Sequence, residues 1–273
     1  MKQPMTPSPD AIAEVVRRED RDRFLTAQFV PVSARADVLA LYAFNAELAK
    51  IRSHVSETMI GRIKLQWWRD VVAAIYAGQG APKGNPITEA LAAAVARHNL
   101  PRGPFDALLD ARERDMDDDA PAMTMADLET YAEGTAGQLL LLALKVLEVE
   151  GAEEAARHVG IAYALSGILR AVLVHARENR LYLPGVTSVE DLRNTQATAN
   201  VVAEIAALAE SHLAKARALK TPRAAVPALL LGTIAGQTLK VLKAAGYDIT
   251  DARVVRHRAG VARLILNAAW GTF

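Results

Sequence analysis

Helix start and stop signals recur along the whole chain, whereas long runs that alternate apolar and polar residues, the pattern of half-buried strands, are absent. Serine, threonine or proline opens many of the apolar stretches, and glycine, asparagine or proline closes many of them. The pattern predicts almost no strand and a series of helices at about 33–53, 56–77, 86–99, 104–116, 124–150, 152–178, 198–219, 225–245 and 251–268.

Two local patterns refine the helix predicted over 124–150. Thr124 and Asp127 have the spacing of a capping box, with Asp in the place usually taken by Glu. Gly134 and Gly137 lie inside the same stretch, and we expect them to kink or loosen the helix there.

Long helices with short connections are typical of a helical bundle. We therefore predict an all-α fold with a single domain over residues 11–273, preceded by a disordered tail over residues 1–10. Ser33 and Ser56 are predicted helix caps, and residues 185–200 are predicted to be the most flexible surface loop.

Composition narrows the function classes. The chain has 273 residues and is 51% hydrophobic, which is enough for one large core. A net charge of +1 argues against a nucleic-acid partner, and the absence of cysteine excludes disulfides and thiolate metal sites. We find no signal peptide in the sequence, and its longest uncharged apolar segment, Ala224 to Thr238, is too short to span a bilayer. We expect a cytoplasmic protein, with peripheral contact to the inner face of the cytoplasmic membrane left open.

Several short motifs follow one another in a fixed order between about Asp22 and Pro184. They are Asp22-Arg23-Phe24, Leu41-Tyr42-Ala43-Phe44, Gly134-Thr135-Ala136-Gly137, Leu169-Arg170 and Arg180-Leu181-Tyr182-Leu183-Pro184. With this order and spacing the chain resembles the squalene/phytoene synthase family. The resemblance implies an isoprenoid-synthase bundle whose enzymes join two prenyl diphosphates. Two aspartate-rich motifs facing each other across a cavity hold Mg²⁺ on the diphosphate in those enzymes.

The positions that match the two aspartate-rich motifs carry no carboxylate in this chain. They are Ala49, Lys50 and Ser53 in the first motif and Ala171, Val174 and His175 in the second. Because Mg²⁺ prefers carboxylate and other oxygen ligands, and because Lys50 adds a positive charge, we expect no metal, no cofactor and no catalytic residue at these positions.

A narrower set of motifs, including Gln66-Trp67-Trp68 and Arg97-His98-Asn99-Leu100, resembles the branch of this family that lacks the aspartates. That branch includes an assembly factor of respiratory complex I (NADH:ubiquinone oxidoreductase). The resemblance implies a non-catalytic scaffold whose partners are complex I subunits or assembly intermediates. Two alternatives remain open: a divergent Mg²⁺-dependent prenyl transferase, and a carrier that binds an isoprenoid or lipid.

Five side chains are candidates for binding an anion or another ligand, although each has a structural alternative as a helix-pairing or core residue. They are Arg35, Tyr42, Arg170, Arg180 and Tyr182. His175 is predicted to be a helix-end histidine. Of Trp67 and Trp68, we expect one in the core and one on the surface, because neighbouring residues point to different sides of a helix.

Two charged clusters have a functional and a structural interpretation. The acidic cluster consists of Asp106, Asp110, Glu113 and residues 115–119, and it is either a replacement Mg²⁺ site or, as we prefer, a solvated helix end. The basic side of the last helix contains Arg253, Arg256, His257, Arg258 and Arg263. This basic side is either a solvated face, which is our preferred interpretation, or a contact for anionic lipid or an acidic partner.

Overall fold

A computed structural model describes residues 9–55, 57–117, 123–178, 180–193 and 195–273. These described residues contain helices and no strand, which confirms the all-α prediction. The helices are α1 Pro9–Glu19, α2 Arg21–Ala27, α3 Val32–Ala49, α4 Thr58–Tyr76, α5 Pro86–His98, α6 Gly103–Glu113, α7 Met125–Ala132, α8 Gln138–Val146, α9 Glu153–Arg177, α10 Thr195–Ala218, α11 Val226–Leu229, α12 Leu231–Ala244, α13 Ala252–Val255 and α14 Val261–Trp270.

The capping box and the loosened helix are both present. The Thr124 hydroxyl accepts a hydrogen bond from the Asp127 amide at 3.1 Å, and the Asp127 carboxylate accepts one from the Thr124 amide at 2.9 Å. A π-helical segment, Glu133–Gly137, separates α7 from α8. It lies against α9 so closely that a Cβ atom added to Gly160 would be 2.6 Å from the Gly137 Cα atom. The glycines thus allow two helical backbones to touch.

Helix α9 is the centre of the bundle. It packs against α7, α8, α10 and α12 and forms one hydrophobic cluster with them. A second cluster joins α3, α4, α5 and α6, and α8 contributes side chains to both clusters. By length and composition α9 could cross a membrane, but its place in the core accounts for its apolar sequence.

Some predicted boundaries are wrong. Helix α3 begins at Val32 with Pro31 at its cap position, so Ser33 is already inside the helix. The predicted helix over 251–268 is two helices, because the chain leaves the helical path between α13 and α14. The helix predicted over 225–245 bends by 47° between α11 and α12.

Other boundary predictions fall partly outside the described residues. The predicted cap Ser56 is outside them, and so are residues 1–8 of the predicted tail, although α1 already begins at Pro9. Helix α10 begins at Thr195, so the last part of the loop predicted over 185–200 is helical.

Candidate functional site

A cavity of about 220 Å³ lies between α3 and α9, where the two aspartate-rich motifs of the resembled enzymes would face each other. The end of α6, the π-helical segment and the chain after α9 complete its wall. It is lined by Arg23, Asn45, Ala49, Arg112, Tyr131, Thr135, Ala136, Tyr163, Ala164, Gly167, Ile168, Ala171, His175, Arg180 and Tyr182.

Only three of the six degenerate motif positions line this cavity, namely Ala49, Ala171 and His175. Lys50 forms an ion pair with Glu47 at 2.5 Å, and Val174 is 53% exposed. Ser53 lies beyond the end of α3 in a 3₁₀ turn, where its hydroxyl donates to the Lys50 carbonyl at 2.9 Å. The first motif therefore has no continuous helical face on which ligands could align.

Asp115 does not itself line the cavity, but it binds three side chains that do, and its own side chain is 1% exposed. Its carboxylate accepts hydrogen bonds from the Tyr182 hydroxyl at 2.6 Å, the Tyr131 hydroxyl at 3.1 Å and Arg112 Nη1 at 3.2 Å. Arg112 Nη1 also donates to the Tyr131 hydroxyl at 2.8 Å. The preferred interpretation of residues 115–119 as solvated is therefore wrong for Asp115, because tyrosines from two distant segments cover it.

Two further arginines at the cavity have carboxylate partners. Arg180 pairs with Glu178 and donates to the Tyr182 hydroxyl at 3.3 Å. Arg23 donates to Asp20 at 2.5 Å, and its guanidinium lies 4.8 Å from the centre of the Tyr163 ring. Each positive charge at the cavity is thus balanced from within the protein.

The surroundings disfavour charge on the neutral groups of the cavity. Burial raises the pKa of Tyr131 to about 12 and that of Tyr182 well above its usual value. Burial, reinforced by the positive charge of Arg180, lowers the pKa of His175 to about 4. At neutral pH these three side chains are uncharged and act as hydrogen-bonding groups.

Five buried polar atoms of residues that line the cavity have no hydrogen-bond partner within the described part of the chain. They are Arg23 Nε, Asn45 Oδ1, Arg112 Nε, His175 Nδ1 and Arg180 Nε. Buried polar groups are normally satisfied, so these atoms indicate that the cavity suits a polar or anionic group.

Three of the five candidate ligand-binding residues do not line the cavity and have the structural role that was their alternative. Arg170 pairs with Asp22 at 2.8 Å, and Arg35 donates to backbone oxygens in the turn between α2 and α3. Tyr42 is a core residue. Arg180 and Tyr182 do line the cavity.

The rest of the acidic cluster is used in surface ion pairs. Asp110 and Glu113 both pair with Arg69, at 2.6 and 2.8 Å, and Asp106 pairs with Arg102 at 3.0 Å. Asp118 and Asp119 lie outside the described residues. In the part of the chain that the structure describes, no three side chains of a metal-binding type come together.

The cavity residues do not fit Mg²⁺. None of the described residues that line the cavity is an aspartate or a glutamate, and the carboxylate of Asp115, behind the wall, is engaged by three hydrogen-bonding side chains. Magnesium needs several oxygen ligands in octahedral geometry, and one engaged carboxylate does not supply them.

Sequence reasoning missed Arg23, Arg112 and Tyr131 as cavity residues. The spacing of Arg112 and Asp115 was a usable signal, because residues three apart share a helical face and these two carry opposite charge. The prediction for the tryptophans is confirmed: Trp68 packs on Phe44 with ring centres 5.1 Å apart, and Trp67 is 40% exposed.

Known proteins that are similar to this chain belong to one family. The sequence model of squalene/phytoene synthases matches residues 16–260. The chain belongs to the squalene/phytoene synthase family. Within this family, human "NADH dehydrogenase (ubiquinone) complex I, assembly factor 6" is 35% identical over 249 residues, which are 86% of this chain and 74% of the human protein. "Presqualene diphosphate synthase" of Rhodopseudomonas palustris is 30% identical over 220 residues, 76% of this chain and 77% of that enzyme.

Solved structures agree on the fold. A squalene synthase from Alicyclobacillus acidocaldarius superposes with a TM-score of 0.75 at 20% identity and covers 88% of this chain and 94% of its own. A dehydrosqualene synthase in complex with ligand also gives 0.75, at 18% identity, over 96% of this chain and 94% of its own. The described helices therefore have the fold of the squalene/phytoene synthases.

Proposed function

We propose that this chain is a non-catalytic assembly factor for respiratory complex I that uses the squalene/phytoene synthase bundle as a binding scaffold. The observation that carries the proposal is the replacement of every metal-motif carboxylate by Ala49, Lys50, Ser53, Ala171, Val174 or His175. The similarity to complex I assembly factor 6 of several animals supports it.

The size of the cavity supports the same proposal. Its volume of about 220 Å³ is below the ~300–1,000 Å³ of typical small-molecule sites. Joining two prenyl diphosphates requires room for two long chains. The tyrosines and arginines of the wall reduce the space available for such substrates.

The proposed partners are subunits or assembly intermediates of complex I. We propose that the protein binds them as a peripheral protein at the inner face of the cytoplasmic membrane. We propose no cofactor, because the residues at the former metal positions do not fit Mg²⁺. The scaffold then acts through its surface, while the cavity maintains the fold.

Deleting the gene tests the assembly role. We expect less assembled complex I on native gels and lower NADH:ubiquinone oxidoreductase activity in membranes, both restored by the wild-type gene. Fully assembled and fully active complex I in the deletion strain would overturn the proposal.

A cavity-filling variant separates a scaffold from a protein that works through its cavity. Gly167 lines the cavity, and a Cβ atom added to it meets no other atom within 4 Å. Gly167→Leu therefore fills the cavity without a clash near the backbone. If the chain is a scaffold, folded Gly167→Leu protein restores complex I as well as wild type does. Failure of the folded variant would favour a function inside the cavity.

The transferase alternative has support from the similarity to presqualene diphosphate synthase. Incubating the purified protein with farnesyl diphosphate and Mg²⁺ tests it, with an active synthase as the positive control. We expect no product above the protein-free background. Product that disappears in the Gly167→Leu variant would establish the chain as an enzyme.

A carrier of a small polar or anionic ligand is the second candidate function, and the five unpartnered polar atoms of the cavity favour it. Native mass spectrometry of the protein purified from its own cells tests this candidate. A bound species in wild type that is absent from Gly167→Leu would support a carrier. If wild type and Gly167→Leu both showed only the mass of their own polypeptide, with no bound species, the scaffold function would be favoured over a carrier.

A further inference from the structure

A second, larger cavity of about 570 Å³ lies at the C-terminal end of the bundle, between α10, α12 and α14. Three cations line it, one from each helix: Arg217, Lys240 and Arg263. The remaining lining residues are uncharged, and most of them are polar. We call this cavity the basic pocket.

The positive charge of the basic pocket is not balanced by side chains. Among the described residues, neither Lys240 nor Arg263 pairs with a carboxylate. Arg217 Nε donates to the backbone oxygen of Phe273 at 2.8 Å. Even counted as a terminal carboxylate, that oxygen would supply one negative charge against three positive ones. Burial, followed by the nearby charge of Arg263, lowers the pKa of Arg217, as expected for crowded cations.

The outer face of α14 is apolar over its whole length. Leu264 and Asn267 face the core, and Asn267 donates to the Thr233 hydroxyl at 2.8 Å. The opposite side carries Val261, Ile265, Leu266 and Trp270, which are 41%, 53%, 43% and 67% exposed.

The basic pocket and the apolar face of α14 are continuous. Arg263 and Trp270 are seven residues apart, or about two helical turns, so they lie on the same side of α14. Residues 252–273 contain no Asp or Glu but include Arg256, Arg258 and Arg263, whereas Arg253 pairs with Asp251 at 2.6 Å. A short helix with an apolar face, a tryptophan at its end and arginines around it is typical of interfacial membrane binding.

We propose that α14 lies in the surface of an anionic phospholipid bilayer, with its apolar face among the acyl chains and a lipid phosphate in the basic pocket. The negative charge of the headgroup replaces the missing carboxylates, since phosphate oxygens accept strong hydrogen bonds from guanidinium and ammonium groups. The proposal commits to a lipid surface because an acidic protein patch would match the cations but not the contiguous apolar face.

Co-sedimentation of the full chain with vesicles tests the proposal. We expect binding to phosphatidylcholine vesicles that contain phosphatidylglycerol and at least tenfold weaker binding to phosphatidylcholine alone. Each of Lys240→Gln and Arg263→Gln is expected to weaken binding about fivefold, because a cation near an anionic surface contributes ~1 kcal/mol. Trp270→Ser is expected to weaken binding to both kinds of vesicle.

Two matched controls separate this site from general charge and apolarity. Lys243→Gln removes a cation from the same helix as Lys240 but outside the pocket, and Trp67→Ser removes an exposed tryptophan from α4. Both are expected to bind anionic vesicles within about twofold of wild type, since neither side chain belongs to the proposed surface. Circular dichroism and thermal melting confirm that each variant is folded.

Several results would overturn the proposal. They are no vesicle binding by the folded wild type, equal binding to neutral and anionic vesicles, and equal losses in Lys243→Gln and Lys240→Gln. Saturable binding of inorganic phosphate without vesicle binding would instead identify a small-anion site, and dimer formation lost in Trp270→Ser would identify a second copy as the occupant. The assembly role is tested separately by gene deletion, so either proposal can fail without the other.

Discussion

The cavity between α3 and α9, here called the central cavity, and the basic pocket are each lined by three cations. The two sites differ in whether carboxylates of the protein balance those charges. Around the central cavity, Arg23, Arg112 and Arg180 pair with Asp20, Asp115 and Glu178. In the basic pocket, the three cations come together without a carboxylate side chain from the described parts of the chain. A site whose charges are balanced internally needs no ligand to be stable, whereas a site with excess charge becomes more stable when an anion binds.

Paired and unpaired charges also lie in different parts of the bundle. The cavity between α3 and α9 is small, about 220 Å³, and its arginines are paired within the protein. The unbalanced charge lies instead in the basic pocket, beside the apolar face of α14. We infer that binding by this protein depends more on its surface than on its interior.

Removing the balancing charge of the cavity should have the largest effect. Asp115→Ala leaves Arg112 buried without its carboxylate and is expected to lower the free energy of unfolding by about 3–5 kcal/mol. Urea denaturation measures the loss. The matched control is Asp110→Ala, which breaks an exposed pair with Arg69 and should cost about 1 kcal/mol or less. Equal losses in the two variants would remove the contrast between cavity and surface.

The cavity should also make stability depend on pH through His175. Its pKa of about 4 lies below the value of about 6.5 expected in the unfolded chain, so the unfolded state binds the proton more tightly. The contribution of His175 to the free energy of unfolding is fully present above pH ~6.5 and is lost as the pH falls toward 4. The loss is on the order of 3 kcal/mol.

Thermal melting of wild type and His175→Gln across that pH range measures the difference. The variant carries no titrating group at this position, so it should lose less stability on acidification than wild type does. Parallel pH profiles would show that His175 is not held neutral by its surroundings.

The two sites should differ in how rigid their walls are. Gly160→Ala places a Cβ atom 2.6 Å from the Gly137 backbone behind the cavity wall and should cost about 1–3 kcal/mol. Gly236→Ala in the basic pocket meets only the tip of the Arg217 side chain, at 3.3 Å, which can move aside. We expect Gly236→Ala to change stability by less than about 1 kcal/mol. A larger loss in Gly236→Ala, measured by urea denaturation, would contradict this difference.

The smallest expected effect is a gain. Lys240→Glu places a carboxylate between Arg217 and Arg263 and should raise the free energy of unfolding by up to about 1 kcal/mol at low salt. The gain should shrink as salt is added. Lys243→Glu on the same helix lies outside the pocket and should give no gain. A loss of stability in Lys240→Glu would mean that the pocket charges are already balanced.

Local signals were sufficient for most of the fold. The capping box at Thr124, the glycines of the π-helical segment and the long apolar stretch of α9 each depend on residues close in sequence. The lack of side-chain oxygens at Ala49 and Ala171 was also visible, because these positions match aspartates in the motifs of the resembled family.

The side-chain pairs between residues distant in sequence could not be predicted in the same way. Asp115 looked solvated within an acidic stretch, yet Tyr182, 67 residues later, covers and binds it. Arg170 was a candidate for helix pairing as well as for ligand binding, but its partner Asp22, 148 residues away, could not be named from the sequence. Such contacts depend on how helices pack, and neither composition nor spacing encodes that packing locally. The break between α13 and α14 was missed although residues 256–260 read Arg-His-Arg-Ala-Gly, where the apolar pattern stops and a glycine precedes α14.

The central place of α9 has a consequence for how the protein is made. Helices α10 and α12, which follow it in the chain, cover one part of its apolar surface, and α7, the π-helical segment and α8, which precede it, cover another. Arg177 and Ala244, the ends of α9 and α12, are 67 residues apart. At about 5–20 residues per second, the part of α9 that α12 covers waits roughly 3–13 s before α12 has been synthesised. During that interval the nascent chain presents a segment with the length and hydropathy of a membrane span, and we expect chaperones to bind it there.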